Sequence, residues 1–260
     1  MLKNKITLNK IKSTILRIIN KSRFLKSSKK ILKLRNSHLG ERCFIIGNGP
    51  SLTLEDLDKI KGEFSIASHG IYDIFSKTDW RPNIYTAQDS ALVNNLHKNI
   101  SKMKDVKLKI IALMEDVRCK KIKKAFYISI KRDYEEGLPK FSKDVHSNIF
   151  EGMTVSYMNI QLAVYMGFKE IYLLGVDHSY AVERREDGSI KYNDVKSYFS
   201  SNYADAKPGK ENFNLPCTEK STLAYVAARK FADDKDIIIR NATRGGKLEI
   251  FDRIDFDTLF

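Results

Sequence analysis

The chain has 260 residues, 42% hydrophobic and 30% charged, which suits one α/β domain with at most a small appendage and excludes wholesale disorder or a collagen-like fibre. No apolar run approaches the roughly 18 residues of a bilayer-spanning helix. The N-terminus lacks a secretory signal pattern, and Cys43, Cys119 and Cys217 form neither a disulfide framework nor a CxxC pair, so a cytoplasmic protein is expected. The formal charge of +14 is lopsided, because residues 1–36 hold twelve Lys and Arg and no Asp or Glu, and the remainder is close to neutral. A basic nucleic-acid-binding body is therefore not expected.

Residues 1–39 read as a basic amphipathic arm. Leu8, Ile11, Ile15, Ile18 and Leu25 recur at helical spacing, flanked by Lys10, Lys12, Arg17, Lys21 and Arg23. Such a helix suits an anionic membrane surface, which would make the protein peripheral at the inner face of a cell membrane. The alternatives are a stripe packed onto the domain, or a solvated tail.

Residues 40–260 read as one Rossmann-like domain. A buried strand at 43–47 enters the turn Asn48-Gly49-Pro50-Ser51, and a helix capped by Ser51 or Thr53 follows, with Glu55, Asp56 and Asp58 near its positive end. Short strands are expected at 65–68 and 83–87 with a helix-like 71–77 between them, then apolar runs at 108–113 and 124–128. Val155, Met158, Leu162 and Met166 line a helix over 152–167 that Gly167 closes, and the strand 170–175 comes directly after. Residues 183–217 are polar and read as a lid loop, followed by a helix at 221–232, a strand at 237–240 and a Gly-rich turn. Strands alternating with helices in this rhythm predict a doubly wound, mainly parallel sheet.

The polar residues at strand ends are the candidate chemistry. Gly47, Asn48, Gly49 and Ser51 form a turn whose glycines let backbone approach a ligand beside a helix N-terminus, although Pro50 removes one amide donor. Gly152, Thr154 and Ser156 precede or open the long helix and could hold a phosphate, or Thr154 could simply cap it. Asp177 and His178 end the strongest strand, where ligands bind in open α/β sheets; Asp177 could accept from sugar hydroxyls and His178 could move a proton. Asp89 lies past another strand, and Arg244, Gly245 and Lys247 make an anion cradle or a plain glycine turn. No metal site is expected, since the Asp-x-Asp spacings fall on a helix start, a turn and the C-terminal tail.

GNGPSL at 47–52, GMTVSYMNIQLAVYMGFKEIYLLGVD at 152–177 and NATRGGKLEIF at 241–251 resemble a bacterial MptE-like (6-hydroxymethylpterin diphosphokinase-like) surface-glycan family. That family is related to CMP-sialic-acid-dependent sialyltransferases and to motility-associated-factor flagellin glycosyltransferases. The resemblance runs from about Arg42 to Phe260. It implies a Rossmann-like fold and metal-independent transfer of an acidic sugar from a CMP-activated donor to a glycan or lipid-linked acceptor. Asn48 and Gly49 would lie at the nucleotide, Thr154 near the donor, and Asp177 on donor hydroxyls. Gly152 stands where those sialyltransferases carry an Arg, and Glu219 falls where they carry the catalytic His, leaving His178 and Glu219 as the two candidate bases. The alternatives are diphosphate transfer from ATP with Mg²⁺, and a non-catalytic binding or scaffold protein on the same fold. A homo-oligomer is left open.

Overall fold

The computed structural model of the chain describes residues 2–199 and 215–260, and side chains from residue 9 onward within that span. In chain order the elements that build the sheet and its covers are α1 (Leu2–Leu32), β1 (Arg42–Ile46), α2 (Leu54–Lys59), β2 (Ser65–Ser68), a 3-10 turn (His69–Ile74), β3 (Ile84–Ala87), α3 (Ser90–Lys102), β4 (Leu108–Leu113) and β5 (Ala125–Lys131). There follow a short hairpin of β6 (Tyr134–Glu135) and β7 (Leu138–Pro139), then β8 (Ile149–Phe150), α4 (Val155–Met166) and β9 (Glu170–Leu174). A second hairpin of β10 (Val182–Arg184) and β11 (Ile190–Tyr192), α5 (Thr218–Asp233), β12 (Ile238–Asn241) and a 3-10 turn (Phe256–Leu259) complete the chain.

Eight strands form one parallel sheet in the order β12-β9-β1-β2-β3-β4-β5-β8. The central strands are buried on both faces, which is why RCFII and EIYLL are continuous apolar runs rather than alternating ones. Cys43, Ile45, Ile66, Ile84 and Ile110 point to the layer of α1, α4 and α5, while Phe44, Ile46, Ala67, Tyr85 and Ile111 point to α2, α3 and the 3-10 turns. From β1 the chain steps outward to β8, then returns to lay β9 against the other side of β1. The strand order therefore reverses between β1 and β9, where a doubly wound sheet opens a crevice at its carboxyl edge.

Helix α4 is buried nearly all round, not along the single face that Val155, Met158, Leu162 and Met166 suggest, because the sheet covers one side and α5 the other. Full burial of each of its Ile, Leu or Met side chains contributes about 1.5–3 kcal/mol. Gly167 ends it at φ +94° and accepts the left-handed turn without a Cβ penalty.

Several expectations change. Residues 90–102 form a helix, α3, which is not among the expected elements although Leu92, Val93, Leu96 and Ile100 stand at helical spacing, and Asp89 is its cap. The polar stretch 183–217 is not one loop, since β10 and β11 pair antiparallel within it; residues 200–214 lie outside the described residues. Nor is the N-terminal segment a free tail. Helix α1 lies along β5 and docks through polar groups: the Asn20 amide donates to the carbonyls of Met114, Glu115 and Val117, and Ser27 Oγ accepts from Tyr127 N at 2.8 Å. Ile31 and Leu34 enter the core beneath it. Ile11, Ile15, Ile18 and Leu25 stay exposed, so that stripe does not pack on the domain.

Candidate active site

Beyond the carboxyl ends of β1 and β9 two loops press together. Gly47 N donates to Leu174 O at 2.8 Å and Gly49 N donates to Gly175 O at 2.9 Å. A Cβ on Gly49 would lie 1.7 Å from Asp177 Oδ2, and one on Gly47 would lie 2.1 Å from Gly175 O. These glycines thus serve chain-to-chain approach, whatever they also offer a ligand.

Asp177 is the hub of the junction. Its carboxylate accepts from Ser51 Oγ at 2.7 Å, and its carbonyl accepts from Lys247 N at 2.8 Å. Burial pushes its carboxyl above the usual range, against the opposing pull of the Ser51 hydrogen bonds. Thr53, not Ser51, caps α2, in a capping box with Asp56. The Lys247 side chain and Gly245 are exposed.

Arg244 is a correction to the anion-cradle expectation. Its guanidinium is held by Asp56 at 2.5 Å and Asp257 at 3.2 Å and lies over the Phe256 ring, so its charge is already matched within the fold. The carbonyls of Gly245 and Gly246 accept from Arg253, which closes the turn instead.

Thr154 caps α4 and accepts from Ser156 N at 3.3 Å, while its hydroxyl lies 3.4 Å from Tyr225 OH. Gly152 is confined, because a Cβ there would meet Tyr157 and Ala224 at 2.5 Å; an Arg does not fit at this position without backbone movement. The ring of Tyr225, buried on α5, meets His178 edge-on.

His178 Nε2 lies 2.8 Å from Thr222 Oγ1, and that hydroxyl donates to Thr218 O. Thr222 therefore accepts from Nε2–H, which leaves Nδ1 carrying the lone pair. Burial lowers the imidazole to about 4, so it is neutral at physiological pH. Glu219, one turn from Thr222, faces elsewhere. It accepts from Glu186 N at 2.6 Å and lines a cavity of about 200 Å³ against the β10–β11 hairpin with Glu183, Arg185 and Lys191.

A third cluster was not anticipated as a group. Asn48 Oδ1, His69 Nε2, Gln88 Oε1 and Asn159 Nδ2 are buried atoms with no hydrogen-bond partner among the described residues. They follow β1, β2 and β3 and sit on the overlying α4. Asn48 and Asn159 are linked through β2 and β3, since Asn48 Nδ2 donates to Ser68 O, Thr86 Oγ1 donates to Asn159 Oδ1 at 2.6 Å, and Ser68 and Thr86 are register partners; His69 and Gln88 belong to the set by position, just past the ends of β2 and β3. Whichever way the Asn159 amide is turned, one of its ends lacks a partner. On the same helix Gln161 shows the usual outcome, all its amide groups bonded to 142, 150 and 157. Ser65, at the start of β2, and Ser129, on β5 opposite the last residue of β4, hold further unpartnered hydroxyls.

Nothing local in the sequence distinguishes His69; polar residues at the ends of successive strands, Ser68-His69 and Gln88-Asp89, are the signal that points to it. Its φ is +52°, and those of Met153 and His178 are +57° and +53°, so three non-glycine residues at these turns hold the left-handed conformation. Such strain costs about 1 kcal/mol or more each and gathers at functional sites. Burial takes His69 to about 4 against the opposing Asp89 charge, while Asp89 caps α3 through Ala91 N and Leu92 N.

His69 and His178 give a pH prediction. Their folded values near 4 lie below the ordinary 6.5, so the stability they lend is complete above 6.5 and is lost as pH falls from there towards 4. The melting temperature should drop roughly 5 °C or more across that interval. Combining His69→Asn with His178→Asn should flatten the profile, and Asn accepts positive φ.

A family model described as 6-hydroxymethylpterin diphosphokinase MptE-like matches residues 17–183. The chain belongs to the MptE-like family. The match covers the first two motifs of this MptE-like chain and reaches into α1, which the motif resemblance left out; it ends before 241–251. The MptE-like chain resembles the MAf glycosyltransferase from Magnetospirillum magneticum AMB-1, with TM-score 0.52 and 16% identity over 87% of this chain and 35% of that one. This likeness is one of fold, and the chain spans about a third of that protein's length. No curated protein matches it.

Proposed function

We propose that this MptE-like chain binds a nucleotide-activated sugar at the carboxyl edge of its sheet and transfers the sugar to an acceptor hydroxyl. The observation that carries the reading is the set of unpartnered polar atoms of Asn48, His69, Gln88 and Asn159. A buried donor or acceptor without a partner costs about 1–3 kcal/mol, which a ligand presenting both donors and acceptors would recover. A pyrimidine base or a ribose has that character. A CMP-linked acidic sugar is the donor we favour.

In the proposed reaction the acceptor O–H gives its proton to His178 Nδ1. The acceptor oxygen bonds to the anomeric carbon, and the bond from that carbon to the phosphate oxygen breaks with its electron pair leaving on the nucleotide. The hydroxyls of Thr154 and Ser156 and the positive end of α4 would face the departing phosphate. That negative charge would also raise His178 towards its working range. Glu219, turned to the hairpin, is the weaker candidate base.

The family name favours a second reading, diphosphate transfer from ATP to a pterin alcohol, for which Mg²⁺ would be expected. Among the described residues no three His, Cys, Asp or Glu are grouped to hold a metal. Asp89 serves as a helix cap and Asp177 is engaged with Ser51, so the fit to Mg²⁺ is poor and no step is built on it.

Thermal shift with CMP, CDP, UDP and ATP, each with and without Mg²⁺, separates the readings. A metal-independent rise with CMP supports the transferase, a Mg²⁺-dependent rise with ATP supports the kinase, and no response to any nucleotide contradicts both.

A further inference from the structure

Helix α1 binds the domain with one side and leaves the opposite side bare. The docked positions Asn20, Phe24, Ser27 and Ile31 follow one another at helical spacing. Half a turn away, Ile11, Ile15, Ile18 and Leu25 are 51%, 50%, 65% and 67% exposed. A helix that spends polar side chains on its own fold and turns isoleucines outward reverses the usual arrangement. Exposed Lys10, Arg17 and Lys21 border this stripe on one edge, and exposed Lys12 and Lys26 on the other.

We propose that this face of α1 lies on an anionic lipid surface. Its charge selects that occupant. Residues 1–36 carry twelve basic groups and no acidic one, so a second copy presenting the same face would bring like charges together, while an anionic headgroup layer neutralises them. Apolar side chains at the acyl boundary with lysines at headgroup level on both flanks is the geometry of an interfacial helix. It is not a membrane span, since no helix among the described residues is long and apolar enough to cross a bilayer. The inference is independent of what the sheet edge binds.

Flotation of the full chain with vesicles tests it. Truncating the arm would strip Ile31 and Leu34 from the core, so substitutions are the right tool. At low salt, recovery on phosphatidylcholine vesicles containing one-third phosphatidylglycerol should exceed recovery on phosphatidylcholine alone at least tenfold. Combining Ile15→Gln with Ile18→Gln should abolish that gain without moving the melting temperature. Each of Lys10→Gln and Lys21→Gln should weaken partitioning about fivefold. Equal recovery on both vesicle types, unchanged recovery of the isoleucine variant, or a dimer in light scattering that the isoleucine variant dissociates would overturn the proposal.

Discussion

Gly47→Ala is expected to destabilise the fold by about 3 kcal/mol or more, or to prevent folding altogether, read as the shift of a urea unfolding midpoint. The new methyl would sit 2.1 Å from Gly175 O and 2.7 Å from Gly175 C, and both are backbone atoms that no side-chain rotation can move. The two loops are also tied by Gly47 N to Leu174 O and Gly49 N to Gly175 O. Retreat of either chain would break these bonds and shear β1 from β9. Gly175 has little room of its own, since it stands at φ +69° with Leu52 Cβ 3.0 Å from where its Cβ would be. Gly245→Ala is the matched control. At φ +67° with no atom within 4 Å, it meets only the conformational cost, about 1 kcal/mol. If the two variants lose equal stability, the close approach of the loops is not what requires glycine at 47.

The second large effect separates stability from binding. Replacing Thr86 by Val together with Asn159 by Leu removes a buried hydrogen-bonded pair, and with it the unpartnered end of the Asn159 amide. Exchanging both partners for apolar groups of similar shape is close to neutral or stabilising. The double variant should therefore melt no lower than the parent chain, yet lose nucleotide affinity at least tenfold, about 1.4 kcal/mol, by calorimetric titration. A purely structural pair would give the same melting temperature but leave affinity unchanged, so the affinity is what discriminates. Asn159→Leu alone should show the same loss of affinity with some added instability, because Thr86 Oγ1 keeps only the 3.5 Å contact to Ala67 O.

Much of this architecture is legible in the chain itself, and its gaps have physical causes. β1 and β9 are found because a strand buried on both faces must be apolar at every position. α3 carries Leu92, Val93, Leu96 and Ile100 at helical spacing, a pattern easily passed over because Asn94, Asn95, His97 and Asn99 make the stretch polar on average, and its cap, Asp89, invites reading as a ligand contact. The turn at 47–52 is found where it was expected, but a sequence does not say which backbone lies opposite a glycine, so the Gly175–Asp177 contact was out of reach. Arg244 shows the same limit more sharply, since its partner Asp56 is 188 residues away. For α1, periodicity points to Ile11, Ile15, Ile18 and Leu25, which are exposed, whereas the docking face is made by Asn20, Arg23 and Ser27, which hydrophobic patterning does not register. The orphan cluster joins single residues after three separate strands to one helix, and that grouping exists only once β1, β2 and β3 lie side by side.

The most direct measurement is the NMR signal of the side-chain amides as CMP is added to the protein. The resonances of Asn48, Gln88 and Asn159 should shift together and saturate at one dissociation constant. If CMP binds while these three amides keep their resonances, or if CMP, CDP, UDP and ATP all leave them unmoved, the carboxyl edge of the sheet is not the donor site.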